Sequence, residues 1–196
     1  MAALTNENFG SRLNLEKYRT GMFVALAGVM MMFTALTSAY IVRAAGANDW
    51  LPIAVPRVLW ISTALIVISS ITLEFARKAL KVDDHSAYSR MLLVTVVLGL
   101  GFLGAQLLAW RQLVSQGVYL SSNPHSSFFY LLTALHGLHL LGGIFAIDFL
   151  LLHARRKVQV DQITSRRSAA AGAVATYWHF MAGLWIYLFL LLFLWR

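Results

Sequence analysis

Two histidines three residues apart, His136 and His139, interrupt an apolar run, HGLHLLGG at residues 136–143. On a helix this spacing puts both imidazoles on one face. Such a pair could ligate a metal, relay a proton, or make polar contacts between packed helices. Metal sites take three or four protein ligands as a rule, so further ligands would have to come from elsewhere. His179 is the one other histidine well inside an apolar segment; His153 ends one, and His85 and His125 lie in connections. The chain has no cysteine, which removes thiolate ligands, disulfides and a cysteine nucleophile. The metal reading is therefore short of ligands. A bis-histidine haem needs imidazoles from facing positions at one depth, and these two share a face. A hydrogen-bonded pair at a helix interface, and a part in proton or lipid-headgroup chemistry, both stay open.

Two carboxylates also fall within apolar segments. Glu74, in SSITLEFARKAL, is followed at three and four residues by Arg77 and Lys78, so a local ion pair on the helix surface is expected. Asp148 has no basic residue at helical spacing, and an interhelical partner such as Arg77 or Arg166 would satisfy it. Gln106, Ser69, Ser70, Thr72 and Thr133 can bond across helices at modest gain.

The elements that carry these residues follow from composition. Of 196 residues 59% are hydrophobic and 12% charged, and the apolar residues come in long blocks. A membrane span takes about 20 apolar residues. Five segments qualify, at about 20–42, 58–79, 91–110, 127–152 and 173–195. In lipid each must satisfy its own backbone and so forms a helix. The fold class is all-α: a single polytopic five-helix membrane domain over 20–196, preceded by a polar segment, 1–19. The first block is too long for a signal-peptide core and lacks a small-residue cleavage site, so a retained helix is expected. The net charge of +8 does not point to nucleic acid, because the basic residues sit between apolar blocks and form no continuous face.

Those basic residues set an orientation. Three lie in the N-terminal segment (Arg12, Lys17, Arg19), four between the second and third spans, and five between the fourth and fifth. That is twelve on one side against four on the other (Arg43, Arg57, Arg111, Arg196). The N-terminus is expected inside and the C-terminus outside. Trp60, Trp110 and Trp195 would then mark the outer interface and Trp178 the inner one. Gly21/Ala25, Gly101/Ala105 and Gly142/Ala146 place small residues where helices could approach closely. The prolines, at 52, 56 and 124, lie in connections, and no span has the interrupted pattern of a transporter midplane site.

At this point five motifs, one per span and in order, resemble one family. GMFVALAGVMMMFTALTSAYIVR, STALIVISSITLEFARKAL, GLGFLGAQLLAW with Gln106, HGLHLLGG after Thr133-Ala134-Leu135, and YWHF (Tyr177, Trp178, His179) followed by a long apolar run resemble subunit III of the haem–copper oxidases, in its short five-helix bacterial form. The resemblance covers about residues 18–195. It implies a non-catalytic subunit, with no catalytic residue, haem or copper of its own, in a bacterial cytoplasmic membrane. The complex would reduce oxygen to water and pump protons, with cytochrome c or a quinol as donor. Haem and copper are expected in the partner, subunit I, with subunit II and a small subunit IV in the same complex. Bound phospholipid and support of sustained proton uptake are expected of this chain.

One departure bears on this. Family members usually carry an intramembrane Glu in the first helix, near the first histidine of HGLH. Counting back from Tyr40 puts Val29, preceded by Gly28, at that position. The missing acid weakens a proton role and favours scaffold and lipid binding. His136 is then expected to bond to a hydroxyl, a carbonyl, a water or a lipid. Other readings carried forward are a relative of the same fold associated with nitric oxide reductase, a stand-alone metalloenzyme using His136, His139 and His179, and a proton-coupled carrier using Glu74 and Asp148.

Overall fold

The computed structural model describes the backbone over residues 2–46, 50, 56–155 and 163–194, and side chains over 20–46, 50, 56–154 and 168–194. The basic side chains of the N-terminal segment, Arg155, Arg156, Lys157, Arg166, Arg167, Trp195, Arg196 and Pro52 lie outside the described residues. Five helices follow in order: α1 (Ala2–Gly46), α2 (Val58–Lys81), α3 (His85–Ser115), α4 (Pro124–Arg155) and α5 (Ile163–Leu194). Each holds a stretch of membrane-spanning length and hydropathy, five in all. The helices outrun their apolar segments, because once a span is nucleated by lipid its flanking polar residues extend it at little cost. Thus α1 is already helical from Ala2, well inside the polar segment.

Local chemistry sets the tight turns. The Asp84 side chain accepts a hydrogen bond from the Ala87 N–H at 2.9 Å and caps α3, after Asp83 has taken a positive φ of 57°. Asn123 does the same for α4, accepting from the Ser126 N–H at 3.0 Å, with Pro124 at the first helical position.

In section α2, α3, α4 and α5 form a closed ring, each packed on the next and α5 returning to α2. Among the described residues α1 stands outside this ring, packed on α4 and α5 alone. Its spanning window is 17% buried, against 39% for α3, α4 and α5, so α1 is an outrigger rather than a member of the core. At one end Tyr40 of α1 meets Trp50 edge-on, with ring centroids 5.1 Å apart, and Trp50 stacks on His125 of α4 at 5.0 Å.

Two expectations are corrected here. Trp178 is not an interfacial residue: it is fully buried, because its indole finds its polar partner inside the ring. Trp60 is 55% exposed, with its ring edge-on to Phe189. The small-residue faces are not where helices meet most closely. A Cβ at Gly21 or Gly142 would touch nothing within 4 Å, and one at Gly101 would meet only Leu65, at 3.6 Å. The close approaches are at Gly99 and Gly143, where a Cβ would stand 2.9 and 3.0 Å from the Trp178 ring.

Candidate functional site

The polar side chains of the spans fall into two layers inside the ring and one cluster at its end. Both layers are built on α5, where Trp178 and Trp185 are seven residues apart and so point the same way. Trp178 lies between Gly99 of α3 and Gly143 of α4. Its Nε1–H donates to Ser69 Oγ of α2 at 3.0 Å. Trp185 packs edge-on against Phe102 of α3 at 4.9 Å and tilts over His136 of α4 at 5.2 Å. Its Nε1–H donates to Thr63 Oγ1 of α2 at 3.0 Å. Each indole therefore touches all three other helices of the ring.

His136 and Gly143 are also seven residues apart. HGLHLLGG is thus the α4 side of both layers: an imidazole against one indole and a missing side chain against the other. The surroundings of His136 differ from the expectation. It is fully buried, and among the described residues neither ring nitrogen has a hydrogen-bond partner. Its neighbours are the rings of Phe33, Phe102 and Trp185. The α1 residue facing it is Phe33, one turn beyond Val29. His139 behaves otherwise: its Nδ1–H donates to its own helix at Leu135 O, 2.7 Å away. Its backbone carbonyl accepts from the Tyr177 hydroxyl at 2.8 Å.

The five groups expected to bond across helices all do so. Gln106 Nε2 donates to Ser62 Oγ at 3.0 Å, Ser69 accepts from Trp178, Ser70 bonds His179 Nδ1, Thr72 and Thr95 share a hydrogen bond at 2.9 Å, and Thr133 accepts from Trp110 Nε1 at 3.2 Å. Five hydroxyls of α2 take part, facing α3 and α5, so α2 is the polar seam of the ring.

The cluster lies at the α2–α5 contact, beyond the Trp178 layer. Glu74 pairs with Arg77 at 2.8 Å, as its spacing predicts. His179 bridges Ser70 and Glu74, its Nε2 standing 3.7 Å from the Glu74 carboxylate. Lys78 is set over the Phe75 ring at 5.7 Å. These groups end a surface groove of about 470 Å³ whose walls are otherwise apolar: Val67, Ile71 and Ile186 among them. A second groove, about 390 Å³, runs between α1 and α5 and shares Gly183. Asp148 is half-buried and is not paired with Arg77. Arg77 is held by Glu74, and the Arg166 side chain lies outside the described residues. The histidines do not gather: among the described residues no three His, Asp or Glu side chains are placed to hold a metal.

Sequence spacing missed Trp185, Ser62, Thr63, Phe33, Phe102 and Gly99. A signal was present, since Ser62/Ser69, Gly99/Gln106, His136/Gly143 and Trp178/Trp185 each repeat at seven, the interval that keeps residues on one helix face.

Comparison with known proteins agrees over nearly the whole chain. The family model for cytochrome c oxidase subunit III matches residues 15–196. A probable cytochrome c oxidase subunit 3 of Nocardia farcinica is 34% identical over 178 residues, covering 86% of this chain and 83% of its own. Its counterpart in Mycobacterium tuberculosis is 32% identical with the same coverage. A quinol oxidase subunit 3 of Bacillus subtilis is 27% identical, covering 91% of this chain and 85% of its own.

Proposed function

The chain belongs to the cytochrome c oxidase subunit III family, an accessory subunit of a haem–copper oxidase, and on that premise we propose how it serves the complex. It spans a bacterial cytoplasmic membrane with its N-terminus inside and its C-terminus outside, as one five-helix domain. It lies directly against subunit I, with subunit II and a small subunit IV in the same assembly. Haem, copper and oxygen chemistry reside in the partner. The relatives include both cytochrome c and quinol oxidase subunits, and the complex is a terminal oxidase of one of these two kinds.

The observation that carries this reading is a family match running through all five helices. The interior supports it. Its hydroxyls, indoles and amide are largely engaged with one another, which favours a rigid partner over a moving carrier. Glu74, one of the two carboxylates a carrier would use, is tied to Arg77 and His179. The α2–α5 groove suits a phospholipid, with an acyl chain along Val67, Ile71 and Ile186 and a head group near Lys78 and His179. In this way the chain retains lipid beside the catalytic subunit and sustains its proton uptake.

Purification of the chain from its native membrane in mild detergent, with a reduced-minus-oxidised spectrum of the eluate, tests the proposal. Haem co-eluting in fixed proportion is the expected result. A haem-free, monodisperse chain from membranes that retain oxidase activity would overturn it.

A further inference from the structure

The two surface grooves lie on the two sides of one helix. The α2–α5 groove, about 470 Å³, takes His179, Ala182, Gly183 and Ile186 from α5. The α1–α5 groove, about 390 Å³, takes Phe180, Gly183, Leu184 and Tyr187. Both therefore cover the same stretch of α5 at one depth. Among the described residues α1 and α2 do not meet, so α5 alone separates the grooves.

Gly183 is the low point of that separation. Residues seven apart share a helix face, so the ridge between the grooves runs through Thr176, Gly183 and Leu190. Thr176 and Leu190 are exposed, and their side chains raise the ridge. Gly183 adds nothing to it, and a Cβ there would meet nothing within 4 Å. It is also the residue that lines both grooves. The ridge thus has a saddle at its middle, low enough for a flexible apolar chain to cross.

Charge decides what enters. The α2–α5 groove is lined by one carboxylate, Glu74, and one ammonium, Lys78, both at the same end. Glu74 is tied to Arg77 and His179. Lys78, exposed and set over the Phe75 ring, is the groove's cation and suits a phosphate. No charged residue lines the α1–α5 groove. Two separate phospholipids would need two charged ends; one phosphate bearing two apolar chains needs only the one present. We infer that a single diacyl phospholipid fills both grooves. Its phosphate sits at Lys78 and His179, one chain lies along Val67 and Ile71, and the other crosses Gly183 to Met30 and Leu184. The lipid supplies the contact that α1 and α2 lack and ties the outrigger to the ring. That the ligand is a phospholipid rests on the proposed function; the bridge rests on the saddle.

The test uses the whole complex in its native membrane, supplied with phosphatidylglycerol that carries a diazirine in each acyl chain. After irradiation and digestion, mass spectrometry should find single lipid molecules joined through one chain to an α1 peptide and through the other to an α2 peptide. Gly183→Leu fills the saddle in open space. It should abolish this bridged adduct, keep the α2 adduct, and leave the haem co-purified per chain unchanged. Gly142→Leu, equally open but on α4, should leave the bridge intact. Lys78→Glu should lower both adducts about ten-fold or more. Diacylglycerol with the same two diazirines, which lacks the phosphate, should label the unsubstituted chain as weakly. Adducts on α1 and α2 that never share one lipid overturn the inference, as does a bridge that survives Gly183→Leu. Grooves that stay unlabelled in a complex that brings down haem hold another occupant, and overturn it too. A chain that brings down no haem removes the functional reading, whatever the adducts show.

Discussion

At the scale of single residues, Trp178 shows how little room the ring has. Its indole fills the space left by two absent side chains, and a Cβ at either glycine would have to displace ring atoms that are themselves confined. Gly99→Ala or Gly143→Ala should therefore destabilise by about 1–3 kcal/mol, the usual cost of overpacking, read as a lower unfolding midpoint in detergent. Gly142→Ala, one residue away and facing open space, should be silent. His136 has the opposite problem. An unpartnered buried polar group costs about 1–3 kcal/mol, and its three aromatic neighbours offset part of that. His136→Leu removes both terms, so its stability should stay within about 1 kcal/mol of the parent. A loss of several kcal/mol in the same unfolding measurement would mean that the imidazole has a polar partner.

At the scale of elements, the seam on α2 accounts for what composition could and could not foretell. The five spans were legible because a membrane helix needs only length and apolarity, both local properties. The Glu74–Arg77 pair was legible for the same reason, being fixed by spacing within one helix. The role of Trp178 was not, because an indole suits an interface and a core equally, and the deciding glycines sit on two other helices. Likewise, hydroxyls in STALIVISSIT can be named as donors from the sequence, but their partners depend on how α3 and α5 are rotated. The seam is also where energy can be apportioned. Interhelical hydrogen bonds in membranes average about 0.6 kcal/mol, reaching about 1.7. A double-mutant cycle of Ser69→Ala with Trp178→Phe should return a coupling of that size, while Ser69→Ala with Trp185→Phe, which share no bond, should be additive. Equal coupling in both cycles would mean the two layers respond as one unit.

At the scale of the whole molecule, the closed ring and its outrigger make unequal contributions. Both tryptophan layers, the α2 seam and the Glu74 cluster belong to α2–α5. From α1 the ring receives the edge of Phe33 against His136 and His139 and the Tyr40 cluster at one end. Little α1 surface is buried within the chain, and helices in lipid gain association from packing rather than from escape of apolar surface from water. The ring should therefore outlast the loss of α1. If residues 1–50 and 51–196 are produced as separate pieces in one membrane, the larger piece alone should keep the near-ultraviolet dichroism of its buried indoles. Addition of the smaller piece should change little except protection around His136 and His139. A larger piece with no fixed aromatic signal would show instead that α1 clamps the ring shut, with Phe33 as the contact to test next by Phe33→Ala.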